Sequence, residues 1–282
     1  MSHIPSAYFE TVEDDLDSLS DVFTDESSRI PIRPEKVNDL FHGLRDEMVL
    51  VYGRTGVGKT DFGINLALGA SERARIVYVS IELPKRAILK RLVPLESTII
   101  DFNLRFTADE ISHIADLPRE AQQHLFFVIS MAKEVCRSLT IVDGTYRLGD
   151  SAYFTIEEIR RAIRKLREKL DDVVVVIDYL QLLRTEELCN NATERLDRIS
   201  RTIADLAHSE SVPIIVLSAV GKDGKIRGSE MPWHDSDIVL KLVEDDDRGD
   251  HRTVHVDVEK NRDGSKGSSV DLTYLPAYHV FY

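Results

Sequence analysis

The 282-residue sequence predicts an α/β domain with a mostly parallel sheet, helices on both faces and an antiparallel hairpin near its carboxyl end. Short apolar runs alternate with helical patterns, which is typical of a parallel sheet. One of these runs, Val173–Ile177, is entirely β-branched and therefore predicts a central strand that is buried on both faces. Residues 253–260 and 270–274 alternate apolar with polar positions around the turn signal Asp263-Gly264, which predicts the hairpin.

The composition is that of an ordinary globular protein, with 43% hydrophobic and 30% charged residues. The net charge of −13 gives no bulk attraction to nucleic acid, although a local basic path is enough to bind it. The longest apolar run has five residues, Val173–Ile177, and is too short to span a bilayer. The two cysteines, Cys136 and Cys189, lack metal-ligand spacing and fit a reducing compartment. We therefore expect a cytoplasmic protein without membrane association.

Residues 1–28 differ in composition from the rest of the chain. Between Glu10 and Glu26 there are eight acidic residues and no lysine or arginine. Such a segment buries little apolar surface, which predicts a flexible tail before one folded domain over residues 29–282. An alternative is a short acidic helix that docks on a protein partner or blocks a basic channel. Its apolar face would be formed by Leu16, Leu19, Val22 and Phe23.

The most specific motif follows the first apolar run, Met48–Tyr52, and matches the phosphate-binding loop. Its glycines allow several backbone N–H groups to point at one anion, and the helix that begins there adds the positive end of its dipole. A glycine-rich turn without a ligand is the alternative, which the intact Gly-Lys-Thr between a strand and a helix disfavours. We predict that ATP and Mg2+ bind here, with Lys59 on the β- and γ-phosphates and Thr60 on the metal. The predicted nucleotide-binding residues are Gly53, Arg54, Thr55, Gly56, Val57, Gly58, Lys59, Thr60 and Asp61.

Two carboxylates end apolar strands downstream of this loop. Glu82 follows Ile76–Ile81, and there it can orient or deprotonate the water that attacks the γ-phosphate. An acid at the start of the helix opened by Pro84 explains Glu82 equally well. Asp178 closes the β-branched run and is predicted to hold Mg2+ through water, with a helix cap as the alternative.

Basic residues follow two further strands. The glycine-rich loop 221–229 comes after Val212–Ser218, and Arg184 begins the polar loop after the Asp178 strand. These positions can grip the backbone of single-stranded DNA, but an ordinary surface loop explains them nearly as well, and no aromatic is interleaved for base stacking. The predicted DNA contacts are Arg184, Lys222, Lys225 and Arg227.

Lys260 and Arg262 come just before the tip of the predicted hairpin. Two cations held on a rigid hairpin can reach a γ-phosphate that is bound by a neighbouring subunit. Charges that protect an edge strand from pairing are the alternative, and spacing alone does not separate the two.

The other predicted elements have ordinary signals. Capping boxes predict helices over Thr107–Asp116 and Thr155–Leu170, and further helices are predicted over residues 60–70 and 192–210. Leu125–Val128 and Leu139–Asp143 are predicted as strands, as is Ser236–Leu242. We assign no role to residues 131–151.

From Val37 to Tyr282 the chain resembles the C-terminal motor domain of DnaB-type replicative helicases, within the RecA-like ATPases. The resemblance implies an Mg2+-dependent ATPase that forms a homo-oligomer, a hexameric ring, and acts as a helicase or single-stranded-DNA translocase in phage, plasmid or accessory DNA replication. It also implies roles for Glu82 as the base and for Lys260 and Arg262 in the site of the next subunit. The matching motifs, in the family's order, are Gly53–Thr60, Ser80–Leu83, Ile177–Leu182, Val212–Ser218 and Lys260–Gly264.

The chain departs from the family in three ways, of which the first two, together with the acidic net charge, favour a second function. Ala219 stands where the family has a glutamine that couples nucleotide state to DNA loops, and the loop after it is shorter. The acidic segment over residues 1–28 stands in the place of the family's helical N-terminal domain. The alternative is a nucleotide-controlled assembly or regulatory ATPase, of clock or recombinase type, without unwinding. An inactive nucleotide-binding scaffold is the third reading, which Glu82 and Asp178 argue against.

Overall fold

A computed structural model describes residues 29–145, 154–221, 224–247 and 249–282. The predicted tail over residues 1–28 and the predicted DNA contact Lys222 lie outside the described residues. No helix in the described parts of the chain has both the length and the apolar character needed to cross a membrane.

One sheet organises the described residues, and its strands follow the apolar runs of the sequence. The strands are β1 (Met48–Gly53), β2 (Arg75–Ser80), β3 (Leu139–Asp143), β4 (Val173–Asp178), β5 (Ile214–Ala219), β6 (Ile238–Asp247), β7 (Arg252–Asn261), β8 (Ser269–Leu275) and β9 (Val280–Phe281). Their order across the nine-stranded sheet is β3-β2-β4-β5-β1-β6-β7-β8-β9. The first six strands in this order pair in parallel and the last three are antiparallel, which confirms the predicted fold class.

The helices connect the parallel strands and cover the sheet. They are α1 (Glu35–Phe41), α2 (Lys59–Ala70), α3 (Lys85–Ile100), α4 (Ala108–Ser112), α5 (Arg119–Val135), α6 (Ile156–Arg167), α7 (Ala192–Ser209) and α8 (Met231–Asp235). Both predicted capping boxes are present, at the starts of α4 and α6. Each box satisfies two backbone N–H groups at a helix start, which is why these sequence signals located the helices well.

The core lies on both faces of the sheet. All residues of β1 and β4 are buried. One apolar cluster joins one face of these strands to α2 and α3, and the other joins the opposite face to α6 and α7. Since each fully buried Leu, Ile or Val side chain contributes about 1.5–3 kcal/mol, this double layer holds the carboxyl ends of the parallel strands rigidly in place.

The prediction of a strand over Leu125–Val128 is wrong, because these residues belong to α5. Leu125 and Val128 are fully buried, whereas Phe126 and Phe127 between them are 60% and 53% exposed. Burial three residues apart is the period of a helix, and a run of four apolar residues shows no such period by itself. The unassigned stretch from Met131 begins with the end of α5 and continues through a short 3-10 turn into β3, the strand at one end of the sheet.

Candidate nucleotide site

The phosphate-binding loop lies between β1 and α2, at the edge of the sheet where the parallel strands end; we call this the carboxyl edge. Gly56 and Gly58 have φ of 91° and 92°, a conformation that favours glycine. A Cβ on Gly58 would also lie 3.0 Å from the rings of Tyr274 and Phe281. No side chain caps the start of α2, so its first N–H groups are open to an anion.

Lys59 is held over this loop by backbone oxygens. Its Nζ donates hydrogen bonds to the carbonyls of Gly53 at 2.9 Å and Arg54 at 2.8 Å. Burial lowers the pKa of Lys59, while the negative charges of Asp178 and Glu82 act in the opposite direction. The ammonium is therefore positioned at the loop without a carboxylate bound to it, which leaves its charge for a phosphate.

A pocket of about 260 Å³ brings together four of the residues predicted for catalysis and metal binding. They come from separate elements: Lys59 and Thr60 from α2, Asp178 from the end of β4, and Glu82 from the turn after β2. A larger cavity of about 640 Å³ lies on the other side of the loop, against Arg54, Val57 and the carboxyl half of β6. The carboxyl edge thus offers a phosphate-sized pocket beside a space large enough for the rest of a nucleotide.

Asp178 is buried beside Thr60. The hydroxyl of Tyr78 donates a hydrogen bond to Asp178 Oδ2 at 3.0 Å. Burial raises the pKa of Asp178, and hydrogen bonds from the Thr60 and Tyr78 side chains act against that shift. A carboxylate that accepts from two hydroxyl groups and lies near a lysine is suited to bind a cation.

This pair fits Mg2+. The ion prefers oxygen ligands, keeps several waters and is usually held by one or two protein groups together with substrate phosphates. The Thr60 hydroxyl and the Asp178 carboxylate are such groups. In the described ranges, no group of three or more His, Cys, Asp or Glu residues is placed to hold a metal ion.

Glu82 is exposed to the same pocket and does not cap the following helix. The N-cap of α3 is Pro84, whose side chain forms no capping hydrogen bond. The N–H of Lys85 donates instead to Oδ2 of Asp143 at 2.7 Å. Asp143, rather than Glu82, therefore supplies the acid that binds the start of α3. The Glu82 carboxylate faces the pocket.

The side chain of Asp61 is turned towards the protein rather than the loop. Its carboxylate accepts from Arg91 Nε at 3.0 Å and from the hydroxyl of Tyr274 at 2.5 Å, and His279 Nδ1 lies at 2.8 Å. These contacts tie α2 to α3 and to the end of the chain. Asp61 can therefore offer the nucleotide its backbone, whereas its carboxylate is taken by protein groups.

Lys260 and Arg262 lie at the opposite edge of the sheet, where the parallel strands begin; we call this the amino edge. Ile238 of β6 is paired with Val49 on one side and with Asn261 on the other. The six residues of β1 separate this edge from the loop by roughly 17–20 Å, at about 3.3 Å per residue. The two cations therefore lie far from the phosphate loop of their own chain.

Both cations at the amino edge are bound by other groups of the protein. Lys260 Nζ donates to the carbonyls of His234 at 2.7 Å and Ser236 at 2.5 Å, and burial lowers its pKa, with the nearby Arg262 charge acting in the same direction. Arg262 pairs with Oδ1 of Asp237 at 3.0 Å. The hairpin thus presents its cations already oriented by the short segment before β6.

The described members of the predicted DNA contacts lie in different surroundings. Lys225 pairs with Glu230 at 2.5 Å. Arg184 is half-buried and forms a backbone bridge to Thr155 at the start of α6. Arg227 lines the nucleotide pocket.

The sequence reasoning missed Tyr78 and Gln181. Tyr78 is an inward residue in the middle of β2, so only the position of the neighbouring strand brings it to Asp178. Gln181 donates to Ser218 Oγ at 2.8 Å and to the Arg227 carbonyl at 3.1 Å. A polar residue three positions after Asp178, in an otherwise apolar segment, was a signal that could have identified it.

The fold is that of the RecA-like ATPase domains, with a phosphate-binding loop at the carboxyl edge. One solved ATPase domain has a TM-score of 0.80 at 22% identity and covers 96% of this chain and 98% of its own. A KaiC-like protein from Pyrococcus horikoshii has a TM-score of 0.58 at 16% identity over 90% of this chain and 95% of its own. Such low identities support the fold alone.

The chain belongs to the DnaB-like helicase family, since the model of the family's C terminal domain matches residues 30–282. The replicative DNA helicase DnaB of Geobacillus stearothermophilus is 26% identical over 258 residues, covering 84% of this chain and 52% of that protein. A probable plasmid replicative DNA helicase of Chlamydia trachomatis is 28% identical over 80% of this chain and 48% of its own length. The chain spans about half the length of these relatives.

Proposed function

We propose that this chain is the ATP-hydrolysing motor of a DNA helicase that moves along single-stranded DNA during replication of phage, plasmid or accessory DNA. The observation that carries the proposal is the pocket at the carboxyl edge, where Lys59, Thr60, Glu82 and Asp178 meet. The relatives supply the context, because their names describe replicative helicases and one of them a plasmid helicase. As a replication enzyme it would work in the cytoplasm.

The proposed reaction is the in-line attack of water on the γ-phosphorus. Glu82 accepts a proton from the water as its oxygen bonds to phosphorus, and the bond from phosphorus to the β–γ bridging oxygen breaks to leave ADP and phosphate. Lys59 and the open N–H groups of α2 stabilise the charge that develops on the phosphate oxygens. Thr60, and Asp178 through water, would hold Mg2+, which would neutralise part of the same charge when bound.

The working unit is proposed to be a homo-oligomer, a ring of six. The positions of Lys260 and Arg262 at the amino edge support this, since two oriented cations distant from their own loop can complete the site of an adjacent copy. The nucleotide would then lie at a subunit interface. The acidic segment over residues 1–28 is proposed to contact a protein partner.

The test is a forked-DNA unwinding assay combined with ATPase measurements. We expect ATP hydrolysis that single-stranded DNA stimulates and strand separation that requires ATP. Lys59→Ala should lose both activities, and an exposed substitution away from the site, Arg201→Ala on α7, is the matched control. Hydrolysis without any response to single-stranded DNA would count against the motor.

A regulatory or assembly ATPase is the second candidate. Ala219 at the end of β5 favours it, because the family's coupling glutamine is absent there, and the fold is also similar to a KaiC-like protein. The same fork assay separates the two functions. Nucleotide-dependent assembly with hydrolysis but no unwinding would support the regulatory reading.

A further inference from the structure

Arg91 belongs to the second turn of α3 and lines the pocket at the carboxyl edge. It shares the pocket walls with Lys59, Glu82 and Asp178, the groups proposed to act in hydrolysis. The motifs of the sequence assign it no role. Its side chain keeps 27% of its surface exposed, although the guanidinium is bound to the protein. A cation in this position is not explained by the groups described so far.

Two of the three guanidinium nitrogens anchor Arg91. Its Nε donates to Asp61 Oδ1 at 3.0 Å, and its Nη1 donates to the carbonyl of Ala87 at 3.0 Å. Among the residues that the structure describes, no protein group is hydrogen-bonded to Nη2. Because the five N–H donors of an arginine lie in one rigid plane, the two anchors also fix the direction of the unused donors. The arginine is thus oriented and still has donors for a ligand of the pocket.

Asp61 is itself held from the side that faces away from Arg91. Its Oδ2 accepts from the hydroxyl of Tyr274 at 2.5 Å and lies 2.8 Å from His279 Nδ1. The residue is only 5% exposed, so its carboxylate is fixed in place. A bridge that merely ties α2 to α3 would account for the anchored nitrogens of Arg91, but it gives no role to the donors that remain.

The charge of Arg91 acts at the end of the pocket where Asp178 lies. The hydroxyl of Tyr78 donates to Asp178 Oδ2 at 3.0 Å. Burial raises the pKa of Tyr78, the charge of Asp178 acts in the same direction, and the charge of Arg91 opposes the rise. In nucleotide sites of this kind the metal ion bridges the β- and γ-phosphates, so the end near Asp178 is the one that suits the γ-phosphate.

We propose that Arg91 donates a hydrogen bond to a γ-phosphate oxygen of the nucleotide bound by its own subunit, and that Asp61 positions Arg91 for this contact. The inference rests on the proposed ATP-hydrolysing function and adds a cation to its site. A guanidinium held in one plane suits a phosphate oxygen, because a charge-assisted hydrogen bond is strong and directional. The contact also ties α3, the helix that follows Glu82 in the chain, to the bound nucleotide.

The first experiment measures the affinities of the full chain for ATPγS and ADP, with Mg2+ present, by fluorescent-nucleotide titration. Arg91→Ala should weaken the binding of ATPγS at least about tenfold, because it removes a hydrogen bond between charged groups, and should change ADP affinity less than about twofold. Arg91→Lys keeps the charge but loses the planar fork, so its preference for ATPγS should lie between those of wild type and Arg91→Ala. Equal losses for both nucleotides, or no loss for either, would overturn the proposal.

The second experiment isolates the positioning role of Asp61. Asp61→Ala should reduce the preference for ATPγS over ADP, and the double variant with Arg91→Ala should lose no more of it than Arg91→Ala alone. Tyr274→Phe is the matched control, since it removes another donor to the same carboxylate without touching Arg91. It should lower stability in urea unfolding but leave the preference within about twofold of wild type. Additive losses, or an equal loss of preference in Tyr274→Phe, would refute positioning.

Lys59→Ala separates failure of this inference from failure of the nucleotide site. If Lys59→Ala leaves ATPγS binding intact, the nucleotide does not bind in this pocket, and both the site and the contact with Arg91 are refuted. If Lys59→Ala abolishes binding while Arg91→Ala keeps the wild-type preference for ATPγS, the site stands and the contact with Arg91 is refuted. Loss of binding in the first variant and loss of preference in the second support both.

Discussion

The two edges of the sheet differ in whether their charged residues line the pocket of the phosphate loop. At the carboxyl edge, Lys59 and the start of α2 face a pocket, and no side chain closes the loop. At the amino edge, three backbone carbonyls surround Lys260, and Arg262 is paired with the buried Asp237. The first edge has an open pocket lined by groups of one chain. The second has cations that are oriented but lack a ligand site of their own, which is the arrangement expected of groups that act on another molecule.

Asp237 explains how the amino edge keeps its geometry. Its Oδ2 accepts from the N–H of Met48 at 2.9 Å and lies 3.0 Å from His208 Nε2, while its Oδ1 holds Arg262. The arginine is therefore fixed relative to the first residue of β1, the strand whose other end leads into the phosphate loop. The strand β1 therefore sets the spacing between the pocket at the carboxyl edge and the cations at the amino edge.

Arg262→Ala is the largest test of this difference. If Arg262 stabilises charge in the neighbouring site, its removal should lower kcat about a thousandfold, the lower end for an arginine finger, with little change in nucleotide affinity. Mixing Arg262→Ala with Lys59→Ala subunits should restore part of the activity, because each variant supplies what the other lacks. Steady-state ATPase rates across mixing ratios measure this. If the mixture is no more active than either variant alone, the proposed action of Arg262 in a neighbouring site is contradicted.

Glu82→Gln tests the carboxyl edge. The amide keeps the shape of the side chain but cannot accept the proton of the attacking water, so kcat should fall about 10²–10⁴-fold. Affinity for ATPγS should be unchanged, since Glu82 contacts water rather than the phosphate cradle. Single-turnover hydrolysis together with nucleotide titration checks both parts. An equal loss of binding and turnover would indicate a structural role.

Glu47→Gln tests the electrostatics of the amino edge through pH. Burial raises the pKa of Glu47 from its ordinary value of 4.5 to about 7, and the nearby Asp237 charge adds to this. The folded state thus holds a proton that the unfolded state releases, so the free energy of unfolding falls as pH rises through this interval. This loss of unfolding free energy is absent below about pH 4 and complete above about pH 7. Its full size is on the order of 2–3 kcal/mol.

The variant should therefore be more stable than wild type at pH 8 by up to about that amount, and equal to it at pH 4. Urea unfolding at the two pH values measures the difference. Equal stabilities at pH 8 would contradict the raised pKa of the buried Glu47.

Tyr78→Phe is the smallest expected effect. It removes the hydroxyl that donates to Asp178, and the loss of such an outer hydrogen bond to a metal-binding carboxylate costs about tenfold in metal affinity. The Mg2+ concentration for half-maximal ATPase activity should rise accordingly, with kcat recovering at saturation. A reduced kcat that excess Mg2+ does not restore would place the role of Tyr78 elsewhere.

The sequence predicted the strands around the site well because their signals are local. The β-branched run of β4 and the Gly-Lys-Thr of the loop occupy consecutive residues, and each needs only its own backbone conformation to be recognised. Leu125–Val128 was misread because four apolar residues suit a short strand or a helix face, and only packing against α3 and its neighbours decides between them. The position of Arg227 beside the pocket could not be predicted for a related reason. Its charge was visible, but its backbone carbonyl accepts a hydrogen bond from Gln181, which is 46 residues away in the chain.

The sequence by itself determined the fold class, the phosphate loop and the residue types needed for hydrolysis, because consecutive residues and fixed spacings encode them. Tertiary structure alone decided which groups face which. It placed Asp143, rather than Glu82, at the start of α3, turned Asp61 inward and brought Arg227 to the nucleotide pocket. It also separated Lys260 and Arg262 from their own loop by the length of a strand. The physical reason is that a side chain's partners come from strands and helices that are neighbours in space, and strand order in the sheet sets that neighbourhood.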